Sequence, residues 1–365
     1  MTGENEKPTG GVRLEQVGRD DDGMRLDRWF KKHVPALSHI QVEKALRKGQ
    51  IRLDGKRAKG ATRIEAGQSV RIPPTGEGKS GAAGGERRQP QSRLSAEEIA
   101  EIRDWVIYRD EWIIAINKPA GLAVQGGSGQ TRHLDGMLEA LRYNADERPR
   151  LVHRLDKDTS GLLLLARNAT IARSLAKIFE GRSAHKIYWA LVRQTPSQDK
   201  GWISLPLAKH PSPAGEKMVV DEEDGKESLS LYYKMGKARK GVGWVALMPL
   251  TGRTHQLRVH CAASEAPILG DGKYGGRDAY PFNEDFPKDL MLHARELSLP
   301  HPHDGTTLRL QAPVPTHMSE ALSQLRFDQR KGEDAVDVLE QYATDLKHCP
   351  PRAIDIFFRK KPLRD

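Results

Sequence analysis

Residues 73–95 constrain the chain more than any other stretch. From Pro73 to Ser95 the sequence is mostly Gly, Pro, Ser and Ala, and no apolar periodicity runs through it. Such a segment buries too little side chain to offset the entropy of ordering its backbone, which predicts a flexible linker over 74–98. The 365 residues then divide into a small unit at 24–73, a large unit at 99–327 and an extension at 328–365. The large unit is long enough to bury a sizeable core.

Charge separates the two units. Between Met24 and Pro73 there are thirteen Lys and Arg against four acids, so nearly all of the chain's net +10 sits there. A compact basic segment is the footprint of a polyanion partner, although charge alone also describes a solvated surface. The segment carries folding signals as well. Leu26, Trp29, Phe30 and Val34 fall on one helical face. Ser38 and Gln41 have capping-box spacing, with Val42, Ala45 and Leu46 facing inward and Gly49 as a stop. Ile51 and Leu53 run into Asp54-Gly55, a hairpin signal, and a strand is expected at Ser69–Ile72.

Several function classes drop out. Apolar runs such as Leu162–Ala166 are far below the roughly 18–20 residues a membrane helix needs. The opening MTGENEKPTGG has no apolar stretch after a basic start, so no secretory signal is expected. Cys261 and Cys349 are too few for a disulfide framework or a cysteine zinc site. The expectation is a cytoplasmic protein with no membrane association.

In the large unit, strands are expected at Val106–Tyr108, Trp112–Ile116, Leu162–Leu165, Lys186–Val192, Leu229–Tyr233, Gly243–Pro249, Glu296–Pro300 and Thr307–Leu310. A helix is expected at Ile171–Glu180. Many strands and few helices predict an α+β class with a mixed, largely antiparallel β-sheet and flanking helices. The glycine-dense Gly126–Gly129 could admit a phosphate or be a plain loop; it lacks P-loop and dinucleotide-site spacing. Ala335, Val336, Leu339, Tyr342, Ala343 and Leu346 form a helical stripe in the extension. It could pack on the large unit or add RNA contacts through Arg359, Lys360, Lys361 and Arg364.

Three clusters could carry chemistry. His153–Gly161 (HRLDKDTSG) is a charged loop feeding a buried strand, so its residues reach a cleft edge where burial perturbs pKa. Asp156 and Asp158 are candidate nucleophiles or metal ligands there, without a third ligand at characteristic spacing. Thr251–His260 holds two Arg and two His, donors for phosphates or partners for a carboxylate. In Lys186–Ala190, strand alternation puts Lys186, Tyr188 and Ala190 on one face.

HRLDKDTSGLLLLARN, KIYWALV and TGRTHQLRVH, in that order, resemble the RluA family of pseudouridine synthases. NKPAGLAVQGGSG, PILGDGKYGG and LMLHARELSLPHP support the likeness, which runs from about Trp105 to Phe327. The segment from MRLDRWF to QSVRIP resembles the RNA-binding domain first named from ribosomal protein S-four, a small α/β unit. Residue by residue, the resemblance implies catalytic roles for Asp156 as nucleophile, Tyr188 in the active site and Arg258 as the arginine pairing with the aspartate, with Arg253 its rival. His153 and Gly161 match positions that shape the site. RNA contacts are expected from Arg28, Lys32, Lys44, Arg47, Lys48, Arg52, Arg57, Arg154, Arg253 and His255, and Asp158 is read as structural.

The isomerisation such a family performs needs no metal and no cofactor. The RNA-binding unit and the VQGGSG string resemble the RluC branch, which implies large-subunit (23S) ribosomal RNA or a pre-ribosomal particle as partner and a monomeric enzyme. An RluD-like or tRNA-directed member is the alternative, as is a non-catalytic RNA-binding assembly factor. A glycoside hydrolase would need a paired acid where these motifs offer Arg and Tyr.

Overall fold

The computed structural model describes residues 12–18, 21–74, 94–126, 132–212, 215–282 and 285–348. The chain divides into two compact units, Met1–Arg88 and Gln89–Asp365.

The first unit contains β1 (Arg13–Gln16), α1 (Leu26–His33), α2 (His39–Arg47), β2 (Arg52–Leu53), β3 (Lys56–Arg57) and β4 (Ser69–Ile72), with the antiparallel sheet ordered β1-β4-β2-β3. The expected helical face of α1 is the buried one: Leu26, Trp29 and Phe30 join Val42, Ile51, Val70 and Ile72 in one core. Ser38 and Gln41 form the anticipated reciprocal cap of α2, satisfying amide groups that a helix start otherwise leaves open. With the apolar positions turned inward, Arg28, Lys32, Lys44, Arg47, Lys48, Arg52 and Arg57 are all exposed. Two of them already have partners. Lys32 Nζ lies 2.6 Å from Asp21 Oδ1, and Arg52 donates to the carbonyls of Gly49 and Gly55.

The second unit begins with α3 (Ala96–Asp104) and continues through β5 (Val106–Arg109), β6 (Ile113–Lys118), the single-turn α4 (Leu134–Met137), β7 (Arg150–Leu151), β8 (Ser160–Ala166) and α5 (Ala169–Glu180). Then follow β9 (His185–Val192), β10 (Lys200–Ser204), the hairpin β11 (Leu207–Ser212) and β12 (Gly215–Val220), β13 (Leu229–Lys237) and β14 (Gly243–Pro249). α6 (Gln256–Ala263), β15 (Leu292–Pro300), β16 (Thr307–Gln311), α7 (Thr316–Gln324) and α8 (Ala335–His348) complete it. The main sheet runs β10-β13-β14-β9-β15-β8-β6-β5, with β16 on β15 and β7 on β8. Among the described residues β15–β8 is its parallel pair and the others are antiparallel. The α+β class and mixed, largely antiparallel sheet agree with the expectation.

Two expectations change. Residues 75–93 of the expected linker lie outside the described residues, but its last residues start a helix. Ser95 and Glu98 form a reciprocal cap on α3, the same capping-box chemistry read at Ser38 and Gln41 but passed over here beside Gly and Pro. In addition, β8 begins at Ser160, two residues before its apolar run, because Ser160 and Gly161 pair with His293 and Ala294 of β15. Part of the Gly126–Gly129 loop and the basic residues Arg359, Lys360, Lys361 and Arg364 lie outside the described residues. The helical stripe of the extension packs: Ala335, Val336, Leu339 and Ala343 join the core around Trp189 and Trp244. Glu340 and Asp337 of α8 pair with His185 and Arg309 of the sheet. No helix among the described residues is long and apolar enough to cross a membrane.

Sheet register positions the site. Gly161 of β8 pairs with Ala294 of β15, Ala294 with Tyr188 of β9, and Tyr188 with Leu247 of β14. This row across four strands places the loop before β8, the middle of β9 and the loop after β14 at one edge. Gly161 makes the close approach possible. Its φ is 112°, and an added Cβ would lie 2.3 Å from the Ala294 carbonyl oxygen. Gly161→Ala is expected to destabilise the protein by about 1–3 kcal/mol through overpacking and backbone strain. Urea unfolding at neutral pH checks this, and a variant as stable as wild type would show that the two strands can part without cost.

Candidate active site

One cleft of about 250 Å³ collects all three sequence clusters. His153 to Asp156 and Thr159 come from the loop before β8, Lys186 and Tyr188 from β9, and Thr251 to Arg258 from the loop and first turn of α6.

The first loop is pinned from both sides. The Leu164 amide donates to His153 Nε2 at 2.9 Å, so His153 is an acceptor and neutral. Desolvation, with Lys186 adding to it, lowers the His153 pKa to about 3. Leu155 inserts into the core with Leu163 and Leu165. From below, the fully buried Lys118 at the end of β6 donates to the carbonyls of Pro119, Leu122 and Lys157 at 2.7, 2.9 and 3.0 Å. Burial pulls its pKa down to about 8, opposed by Asp158 and Asp156. Asp156 is thus presented at the cleft while its neighbours are anchored.

In β9, alternation works as expected at the functional end. Ile187 and Trp189 are buried in the core shared with α8, and Lys186 and Tyr188 line the cleft. Burial, and then the charge of Asp156, raise the Tyr188 pKa well above the ordinary phenol range, so the hydroxyl keeps its proton. Desolvation lowers the Lys186 pKa.

The third cluster turns into α6. Gln256 is buried and fully used: its Oε1 accepts from Thr251 Oγ1 and the Arg253 amide, and its Nε2 donates to the Leu229 carbonyl and Ser230 Oγ. This ties the loop to β13. Arg253 is exposed and donates to the Glu227 carbonyl at 3.1 Å, and Arg154 is exposed at the cleft.

The pairing expected of Arg258 is corrected. Its guanidinium closes on Asp271, Nε to Oδ2 at 2.8 Å and Nη2 to Oδ1 at 2.7 Å, both residues buried. A planar fork matches one carboxylate bidentately, and Asp271, not Asp156, fills that geometry. Asp156 acts on Arg258 only as a charge at longer range. The side chain facing Asp156 is His255, expected as an RNA contact, with Nε2 3.8 Å from Asp156 Oδ1. Arg253, the rival partner, is bonded elsewhere. The sequence reading missed the roles of Lys118, Asp271 and Tyr274. All three sit in the NKPAG and DGKYGG strings, which served there only as support for the resemblance.

Strand register, not sequence proximity, assembles an anchored carboxylate, a protonated tyrosine and basic side chains in an open cleft suited to a polyanion. Residues 112–263, which contain the three clusters, match the family model described as RNA pseudouridylate synthase. The chain is 33% identical over 326 residues to the ribosomal large subunit pseudouridine synthase C of Salmonella typhimurium, covering 87% of this chain and 98% of that one. The Escherichia coli K12 protein of the same name gives the same figures, and that of Vibrio cholerae is 34% identical over 320 residues, covering 86% and 97%. Among solved structures, human RNA Pseudouridylate Synthase Domain Containing 4 superimposes with a TM-score of 0.53 at 26% identity, over 63% of this chain and 96% of that one. The chain belongs to the RNA pseudouridylate synthase family and is an isomerase acting on RNA. Within the family it is RluA-like, similar to the pseudouridine synthase C proteins along most of its length.

Proposed function

We propose that this enzyme converts specific uridines of large-subunit ribosomal RNA to pseudouridine, with Asp156 as nucleophile. The observation that carries the reading is the convergence of Asp156, Tyr188 and the Thr251–Arg258 segment on one cleft. The likeness to large-subunit enzymes over 87% of the chain supports the choice of RNA.

In this reading the target nucleotide leaves its stack to reach Asp156. The carboxylate forms a bond to the nucleoside, the N1–C1′ bond breaks, the uracil turns, and C5 joins C1′ as the bond to Asp156 breaks. C5 then gives up its proton and N1 takes one up, so the product is an isomer and no electrons are exchanged. Tyr188 offers its ring to the uracil and keeps its hydroxyl protonated as a donor. Arg258, held by Asp271, lines the cleft and keeps α6 and Tyr274 in place beside Asp156. Arg154 and Arg253 at the cleft meet RNA phosphates.

The first unit serves as an S-four-like RNA-binding domain. Its exposed Arg28, Lys32, Lys44, Arg47, Lys48, Arg52 and Arg57 contact the phosphate backbone. The enzyme acts in the cytoplasm, as a monomer, on ribosomal RNA or a pre-ribosomal particle.

The test is pseudouridine mapping after incubating the purified protein with large-subunit ribosomal RNA from cells lacking it, with total tRNA in parallel. New pseudouridines at discrete large-subunit positions are expected. Modification confined to tRNA would overturn the substrate assignment.

A further inference from the structure

His255 is the N-cap of α6 and has a left-handed backbone, with φ 52° and ψ 21°. Few non-glycine residues adopt this conformation unless their surroundings hold them there. Its ring spans two groups. Nδ1 lies 2.7 Å from the Tyr274 hydroxyl, and Nε2 lies 3.8 Å from Asp156 Oδ1. The His255 and Tyr274 rings meet edge to face, 5.6 Å apart at 78°.

Tyr274 is itself held from several directions. The Met218 amide of the β11–β12 hairpin donates to its hydroxyl oxygen at 3.4 Å, and the Tyr274 amide donates to Asp271 Oδ1 at 3.2 Å. The Arg258 guanidinium sits 5.1 Å from its ring centre. The ion pair that fixes α6 therefore fixes Tyr274 as well.

Hydrogen-bond counting permits one consistent set of proton directions. A tyrosine hydroxyl has one proton to give and lone pairs to receive. With the Met218 N–H directed at the oxygen, the hydroxyl proton is available for His255 Nδ1. A neutral imidazole that accepts at Nδ1 carries its own proton on Nε2, the atom facing Asp156. The opposite tautomer would set a lone pair against the carboxylate. Desolvation lowers the ring's pKa and so favours its neutral form; Asp156 opposes this, Arg258 and Lys273 add to it, and Asp271 opposes it. For a neutral ring the tautomer decides whether Asp156 meets a donor.

We propose that Tyr274 is a positioning residue for the isomerisation: it fixes His255 in the Nε2–H tautomer, which holds one oxygen of Asp156 and leaves the other to attack the nucleoside. The proposal rests on the reading of Asp156 as nucleophile. The 3.8 Å separation is longer than a hydrogen bond, and catalytic contacts of this kind tighten when substrate is bound.

The experiment is a double-mutant cycle with Tyr274→Phe and His255→Gln, read by single-turnover rate, RNA affinity and melting temperature, with Asp156→Asn alongside. Tyr274→Phe keeps the ring that packs beside Arg258 and removes only the hydroxyl. Its rate is expected to fall on the order of 10-fold or more, with RNA affinity and melting temperature near wild type. Gln at 255 presents an amide N–H that needs no tautomer, so adding Tyr274→Phe to His255→Gln should cost nothing further. Three results would overturn the proposal: a wild-type rate for Tyr274→Phe, the same fold-loss in both backgrounds, or a loss seen wholly in RNA affinity or melting temperature. An active Asp156→Asn would remove the reading beneath it. An inactive Asp156→Asn beside a fully active Tyr274→Phe would sink the proposal alone.

Discussion

Asp156→Asn is expected to lower pseudouridine formation by about 1,000-fold or more while leaving the fold and RNA binding in place. Losing a nucleophile removes the covalent route, and single losses of this kind in unrelated enzymes cost that much or more. The asparagine is nearly isosteric. The loop that carries it is anchored by its neighbours instead: His153 by the Leu164 amide, Leu155 by the core, and the Lys157 carbonyl by Lys118. The melting temperature should therefore stay close to wild type. Removing a negative charge from a cleft that receives a polyanion should leave RNA affinity unchanged or tighten it. Single-turnover conversion of a ribosomal RNA fragment, filter binding and thermal melts on the same preparations check the three expectations. A variant that still converts uridine at more than about a tenth of the wild-type rate would move the nucleophile elsewhere.

Local signals carried much of the fold. The α1 face through Leu26, Trp29 and Phe30, the cap at Ser38, and most main-sheet strands were legible because each combines apolar periodicity with a chemical boundary. β9 shows the best case: its alternation assigns Tyr188 and Trp189 to opposite faces without reference to any other element. Where such signals fail, the reason is physical. α6 has no amphipathic stripe, because Gln256 to Cys261 are all buried and its polar members are satisfied by fixed partners. His260, for instance, lies between Ser228 and Ser230 at 2.7 and 3.0 Å. A helix buried on every side defeats a periodicity argument. The β11–β12 hairpin escaped for the opposite reason, since Lys209, His210 and Lys217 along it leave little apolar alternation.

The site was legible as three clusters but not as a geometry. Nothing in the spacing of TGRTHQLRVH reveals that Arg258 points to Asp271, thirteen residues further along, or that His255 is the side chain facing Asp156. Those pairings depend on how α6 crosses the edge of the sheet, and only the folded chain expresses that.

The Arg258–Asp271 pair should dominate local stability. Both side chains are buried, 6% and 1% exposed, and joined by two hydrogen bonds. Asp271→Asn keeps the volume but removes the charge, leaving a guanidinium in the interior without its carboxylate. Breaking one partner of a buried pair costs about 3–5 kcal/mol, mostly the desolvation of the charge left behind. Chemical unfolding at neutral pH is expected to show that loss, and a change below about 1 kcal/mol would mean that water or another group takes the place of Asp271. The paired replacement Arg258→Met with Asp271→Leu separates folding from chemistry. Exchanging a whole buried ion pair for apolar side chains is often neutral or stabilising, so most of the lost stability should return. Activity should not return with it, because the guanidinium that lines the cleft and the carboxylate that seats the Tyr274 amide are both gone. A double variant that is stable and fully active would reduce the pair to a structural fixture.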